Sequence, residues 1–359
     1  MTQTESHIAR KADRPDRAAH LAAAEAMPSV RWHGNGSTRR APRAAAAVAI
    51  AAVLGISVYS AYRIDRVVAS NAPPAIAFSL GPAHRDVTYC NTRQGGLLPP
   101  PLLAGSQTLD LYIPKATATG PLPLAIYVHG GGMTSGDKGN LNPLFLNALA
   151  SAGYAIASVN YRMAPEFKFP AQIEDIKCAI RFLRANAQTY GLDGSKIVAF
   201  GTSVGGQLVA LAALTEPRSA IDVGPYPPAS SSVTAVADMF GPANLTEGAP
   251  SGFSPSGIQQ VFGTNSTKDD LARASPTHYV TGNAPPILII QGVNDAKVLE
   301  SQSIELYNDL KAAGDQTQLV LVQNMGHMFA QVGPKPIDPS LGQVAQDLVT
   351  FFDRYTKGT

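Results

Sequence analysis

Beyond residue 120 the chain alternates between two kinds of apolar segment. Short, nearly continuous apolar runs occur at 122–128, 155–161, 196–200, 233–239, 286–290 and 318–322. Their length and lack of polar alternation suit strands buried on both faces. Between and after them lie longer stretches with apolar residues at helical spacing, at 142–152, 171–188, 206–214, 298–313 and 344–355. In 171–188, Ile173, Ile176, Ile180 and Leu183 fall on one face, and Glu174, Lys177, Arg181 and Arg184 on the other. This alternation predicts an α/β fold, a doubly wound, mostly parallel sheet of about eight strands with helices on both faces.

Two earlier pieces have a different pattern. Residues 86–89 and 108–113 read as antiparallel N-terminal strands that make the sheet mixed; the second alternates apolar and polar residues, as a half-exposed strand does. A long irregular loop containing Pro99, Pro100 and Pro101 separates them. Residues 241–281 interrupt the strand–helix rhythm with a Gly/Pro/Ser-rich stretch holding Phe253, Ile258, Val261 and Phe262, and read as an insertion forming a small lid or one wall of a pocket.

The N-terminal part departs from this picture. Residues 1–43 carry eight Arg/Lys against four acids and almost no apolar period, which reads as a disordered basic tail. Residues 44–62 carry no charge, and nineteen residues at about 1.5 Å rise just span a hydrocarbon core of about 30 Å. Three readings fit: a signal-anchor helix with the Arg-rich tail in the cytoplasm, a cleavable signal ending near Val67-Val68-Ala69, or a soluble Ala-rich helix. The first two place residues after about 70 outside the cytoplasm, membrane-anchored or secreted. Residues 63–84 read as a linker, and 85–357 as the globular domain.

The overall charge is +2, so with +4 in the tail the rest carries −2; a near-neutral globular part excludes a nucleic-acid surface. The 45% apolar and 15% charged fractions suit a globular enzyme. Two cysteines, Cys90 and Cys178, do not make a disulfide scaffold; one bridge between them and two buried thiols are both open readings.

Gly201-Thr202-Ser203-Val204-Gly205 lies between the apolar run at 196–200 and the helical stretch at 206–214. G-x-S-x-G between a strand and a helix is the pattern of a nucleophile elbow, in which a sharp turn lifts the serine hydroxyl off the top of a sheet. A serine needs an imidazole to take its proton and a carboxylate to hold that imidazole's tautomer. In elbow enzymes the chain order is Ser, acid, His. Of seven histidines only His278 and His327 follow Ser203, and His278 lies in the insertion, before the penultimate strand. His327, just past the last predicted strand, is the base by position. Asp295, directly after the strand at 286–290, lies at the sheet edge that Ser203 and His327 share. Asp238, Asp269, Asp270, Asp309 and Asp315 are less well placed: at a strand end ahead of the insertion, at a helix start, on a helix face and at the opposite edge.

Charge on a tetrahedral oxyanion requires backbone amides. His129-Gly130-Gly131-Gly132 follows the first buried strand and offers amides with no side chains in the way. The amide of Val204, at the start of the elbow helix, is another donor. A phosphate-binding loop would need G-x-G-x-x-G or a GK[ST] ending, and His129 has no paired ligand spacing. No metal and no cofactor are expected.

The H-G-G-G at 129–132, G-x-S-x-G-G at 201–206, G-x-x-D-x-x-V at 292–298 and G-H-x-F at 326–329 together resemble the hormone-sensitive-lipase-like carboxylesterases of the α/β-hydrolase fold. Closer still is a bacterial branch, the feruloyl- and acetylxylan-esterase-like (BD-FAE-like) hydrolases. Asn160 to Glu166, Phe169 to Asp175, Ala274-Ser275-Pro276 and Ala284-Pro285-Pro286 resemble that branch. The resemblance covers about residues 85–357. It implies a serine esterase with a Ser203/Asp295/His327 triad, and oxyanion donors at Gly131, Gly132 and Val204. Two positions depart from the family pattern: the residue before the nucleophile, commonly acidic, is Thr202, and the residue after it, commonly Ala, is Val204. The expected substrate is a small-molecule ester with a short to medium acyl group. Amide cleavage on the same machinery, as in peptidases or arylformamidases, and a non-catalytic binding protein of this fold are the alternatives.

Overall fold

The computed structural model describes residues 81–90, 107–114, 120–248 and 251–359. The tail at 1–43 and the uncharged segment at 44–62 lie outside the described residues. Among the described residues no helix is long and apolar enough to cross a membrane.

Eight strands form one sheet: β1 (His84–Thr88), β2 (Thr108–Tyr112), β3 (Leu122–Val128), β4 (Ala155–Val159), β5 (Leu192–Thr202), β6 (Ala235–Met239), β7 (Ile287–Gly292) and β8 (Thr317–Val322), in the spatial order β1-β2-β4-β3-β5-β6-β7-β8. β1 pairs antiparallel with β2 and β2 with β4; β3 to β8 all run parallel. This is the α/β-hydrolase fold, with the mixed N-terminal edge that the alternating segment predicted.

Successive residues of a strand face opposite sides, so each strand feeds two cores. Leu124, Ile126 and Val128 of β3 and Ile197 and Ala199 of β5 enter one. Helices α2 (Ala171–Ala185), α3 (Val204–Leu214) and α6 (Glu300–Ala313) supply the rest of that layer. Ala125 and Tyr127 of β3 and Val198 and Phe200 of β5 enter the other, closed by α1 (Pro143–Ser151) and α7 (Leu341–Thr356). The insertion carries two short helices, α4 (Pro255–Phe262) and α5 (Lys268–Arg273), each begun by a hydroxyl N-cap, Ser254 and Thr267.

Two segments differ from their sequence patterns. β2 is buried along its whole length, although the alternation suggested a half-exposed strand. Its Asp110 is accommodated by the Asp86 amide at 2.9 Å and the Lys138 ammonium at 3.2 Å. The polar face of 171–188 is also partly buried. Lys177 is fully buried, donating to the Thr215 carbonyl at 2.9 Å beyond the C-terminus of α3, where the helix dipole favours a cation. Burial nevertheless pushes its ammonium down to about 8, with the nearby Arg181 guanidinium adding to the effect. Arg181 pairs with Asp222 and donates to the Pro225 carbonyl at 3.1 Å. Residues 215–232 thus cover a face whose charges had looked solvated.

Cys90 and Cys178 are joined in a disulfide that ties the segment after β1 to α2 across a sequence separation of 88 residues. Both half-cystines are buried. The sequence had left the bridge open.

Candidate active site

The sheet delivers three loops to one edge. β5 ends at Thr202, and Ser203 sits at φ 55°, ψ −128°, with α3 starting at the next residue. That backbone is strained for a residue with a side chain. The glycines around it permit the approach: a Cβ on Gly201 would lie 2.3 Å from the Gly205 carbonyl, and one on Gly205 would lie 2.1 Å from the Val128 carbonyl oxygen. The Ser203 amide donates to the Met239 carbonyl at 2.9 Å, pinning the turn to β6.

β7 leads into the turn that carries Asp295, and β8 into the loop that carries His327. The two loops are stitched together, since Asn294 N–H donates to the Met325 carbonyl at 3.0 Å. His327 Nε2 lies 3.0 Å from Ser203 Oγ, and its Nδ1 lies 2.7 Å from Asp295 Oδ2. A carboxylate can only accept, so Nδ1 carries the proton and Nε2 faces the serine hydroxyl as an acceptor. The other carboxylate oxygen, Oδ1, accepts from the amides of Lys297 at 2.8 Å and Val298 at 3.0 Å. The Asp295 side chain is fully buried and that of His327 is 16% exposed. The structure therefore brings together Ser203, Asp295 and His327, the three residues singled out by chain order.

The glycine loop lies against the serine. Gly131 is at φ 109°, where a Cβ would collide with the Ser135 carbonyl at 2.0 Å. Its own carbonyl accepts from the Thr134 and Ser135 amides, both at 3.1 Å, which curls the loop. A cavity of about 320 Å³ is lined by Gly131, Gly132, Ser203, Val204 and His327, with Pro242, Phe253 and Val298 among its other walls. The amides of Gly131, Gly132 and Val204 donate to no other described backbone group, so they remain available for an anionic oxygen. The insertion contributes Ser251, Gly252 and Phe253 as a wall of this cavity. Behind the loop, His129 Nδ1–H donates to the Gly130 carbonyl at 2.7 Å, and its ring stacks on Tyr161 at 4.4 Å. Burial pushes this imidazole down, so it stays neutral as a support for the loop.

Other acids lie elsewhere. Asp238, at the end of β6, accepts from the Gly241 amide at 2.8 Å, and burial raises its carboxyl to about 7 against that bond. Asp270, in the first turn of α5, accepts from the Thr267 amide at 2.9 Å, and Asp315 accepts from the Ala284 amide at 2.9 Å. His278 meets the Tyr279 ring edge to face at 5.0 Å within the insertion. Among the described residues no group of three or more His, Cys, Asp or Glu could hold a metal.

Sequence reasoning missed the ring that backs His327. Phe240, at φ 48°, meets the His327 ring edge to face at 5.1 Å and the Phe329 ring at 4.9 Å. The signal available was its place two residues beyond Asp238, between the predicted strand at 233–239 and the insertion at 241–281.

Residues 109–310, more than half of the chain, match the BD-FAE family model. The chain belongs to the BD-FAE family. Two relatives from Mycobacterium tuberculosis are similar to it. Esterase LipC is 31% identical over 240 residues, covering 64% of this chain and 60% of LipC. Esterase LipQ is 29% identical over 304 residues, covering 76% of this chain and 71% of LipQ. The match thus spans less than two thirds of LipC's own length. Among solved structures, the truncated form of a carbohydrate esterase from gut microbiota superposes with a TM-score of 0.64 at 28% identity, covering 77% of this chain and 99% of that one. These BD-FAE-type and esterase relatives agree with the resemblance carried by the four motifs.

Proposed function

We propose that the protein is a serine hydrolase of carboxylic esters with short to medium acyl groups. What carries this reading is the unbroken Ser203–His327–Asp295 hydrogen-bonded chain opening onto a cavity that the three unoccupied amides also line. Ser203 Oγ attacks the ester carbonyl as His327 Nε2 takes its proton. The oxyanion is held by the amides of Gly131, Gly132 and Val204, each worth about 3 kcal/mol of barrier. The protonated imidazole, its charge balanced by Asp295, then delivers that proton to the departing alcohol oxygen. Water enters, His327 takes its proton, and the acyl-enzyme is hydrolysed at the same oxyanion site.

The esterase relatives support ester over amide cleavage. The cavity of about 320 Å³, with Phe253 and Val298 among its walls, supports the limit on acyl length. With p-nitrophenyl esters, kcat/KM is expected to peak between acetate and hexanoate and to fall by about an order of magnitude or more by decanoate. A fluorophosphonate probe should label Ser203. A protein that hydrolyses p-nitroanilides but no p-nitrophenyl ester would overturn the reading.

We further infer that the catalytic domain works outside the cytoplasm, delivered by residues 44–62 as an anchor or cleavable signal. The Cys90–Cys178 disulfide supports this, because such bonds persist in oxidising compartments. A bridge across 88 residues contributes about 4–5 kcal/mol in the chain-entropy model. Exported protein should show no free thiol after denaturation, and Cys90→Ala/Cys178→Ala should melt about 10 °C lower. Two free thiols in exported protein would remove the support.

A further inference from the structure

A second cavity, of about 330 Å³, adjoins the first and shares Asn140 and Met328 with it. Its floor is Tyr127, Phe145, Phe200 and Met239, all buried. Gly139, Asn140, Pro143 and Met328 are exposed at its mouth. Leu141, Asn142, Thr202 and Phe329 complete the walls. Thr202 directly precedes Ser203 and Met328 directly follows His327, so the cavity touches the neighbours of both atoms in the catalytic hydrogen bond.

The chemistry of the walls is specific. Tyr127 and Phe200 pack with ring centroids 5.2 Å apart, and Phe145 and Phe329 at 5.0 Å. Two methionines, Met239 and Met328, add polarisable sulfur, which favours contact with an aromatic ring. Polar groups interrupt this surface: Asn140 and Asn142 lie among the lining residues, and the buried Tyr127 hydroxyl lies 3.0 Å from the Thr202 hydroxyl. An apolar cavity of about 150 Å³ is enough to hold benzene, so this one has room for a substituted ring.

The two halves of an ester have different requirements. The acyl carbonyl must reach the amides of Gly131, Gly132 and Val204, which line the first cavity together with Val298 and Phe253. The alcohol oxygen must reach His327 Nε2, and the second cavity opens at the residue after His327. We propose that this second cavity is the alcohol subsite, and that it selects esters of aryl or arylalkyl alcohols, with a ring hydroxyl meeting Tyr127 and Thr202. This rests on the ester-hydrolase reading above. It also gives a role to Thr202, the position where the chain departs from the family's commonly acidic residue: an acid there would put a charge into an aromatic-walled site.

Two substrate series test it. One holds the acyl group as acetate and varies the alcohol through ethyl, benzyl, 2-phenylethyl and 2-(4-hydroxyphenyl)ethyl. The other holds ethyl and varies the acid from acetate to phenylacetate. In the wild type, kcat/KM should rise about tenfold or more from ethyl to the arylalkyl acetates. Leu141→Trp fills the second cavity from its wall; Pro143→Trp does so from the exposed lip and serves if the first does not fold. Either should lower the ratio of kcat/KM for 2-phenylethyl acetate to that for ethyl acetate at least tenfold. The phenylacetate-to-acetate ratio of the ethyl esters should stay put. If that second ratio falls instead, the cavity holds the acid side and the assignment is wrong. If neither ratio moves, no part of the substrate enters it and the assignment is equally wrong. A wild type that turns over no acetate ester sinks the ester-hydrolase reading and the subsite with it, an outcome distinct from both.

Discussion

Ser203→Ala should turn over p-nitrophenyl acetate about five to six orders of magnitude more slowly than the wild type while keeping its fold. The size follows from what is lost. Without the hydroxyl there is no acyl-enzyme, and His327 and Asp295 have nothing to activate; members of such a unit fail together, leaving only the rate that the oxyanion amides and binding supply. The fold should survive because Ser203 Oγ makes its one described hydrogen bond to His327 Nε2. The turn is held by backbone instead, through the Ser203 amide on Met239 and the close approach of Gly201 and Gly205. Alanine meets the same φ of 55° as serine, so no new backbone strain arises. Fluorophosphonate labelling should vanish while the melting temperature stays within a few degrees. Turnover within tenfold of wild type would sink the assignment of the nucleophile.

Much of this site was legible before any coordinates, and the reasons are local. A strand–elbow–helix transition leaves its mark in five consecutive residues, because Gly201 and Gly205 are required by contacts no side chain can share. The buried parallel strands read clearly since both faces of each are apolar. Chain order then fixed the other two positions, because α/β connections return each loop to the same sheet edge. What was illegible depends on residues distant in sequence. β2 alternates like an exposed strand, yet Asp110 is buried because Lys138, in the segment after the glycine loop at 130–132, reaches it. Lys177 and Arg181 sit at positions that a helical projection assigns to solvent, and residues 215–232 cover them. Tyr127 and Thr202 meet only because β3 and β5 are neighbours in the sheet. Phe240 reaches His327 only because β6 and the loop after β8 end at one edge.

Asp295→Asn should lower kcat by about four orders of magnitude with KM nearly unchanged, a barrier increase of about 5.5 kcal/mol. The change is isosteric, so the loss must come from hydrogen-bond polarity. Asp295 Oδ1 accepts from the Lys297 and Val298 amides at 2.8 and 3.0 Å. An asparagine must keep its carbonyl oxygen there, because turning its NH2 toward two N–H donors would leave all of them unpaired in a buried site. Its NH2 then points along the 2.7 Å contact to His327 Nδ1. Donor facing donor is repulsive, so the imidazole moves its proton to Nε2 and offers the bare Nδ1 to the asparagine. Nε2–H now faces Ser203 Oγ and cannot take the serine proton. Substrate still reaches the cavity, the oxyanion amides are untouched, and only the base is lost, which is why the effect falls on kcat. Nitrogen-15 spectra of the imidazole should show the proton on Nδ1 in the wild type and on Nε2 in the variant. If Asp295→Asn keeps activity within tenfold, the orienting carboxylate is another one, and Asp238 is the residue to substitute next. The geometry argues against it. Asp238 Oδ1 accepts from the Gly241 amide and is wedged where a Cβ on Gly206 would lie 2.1 Å away. Burial also raises the Asp238 carboxyl toward neutral pH, favouring its uncharged form, and a neutral acid cannot balance the imidazolium that forms when Ser203 gives up its proton.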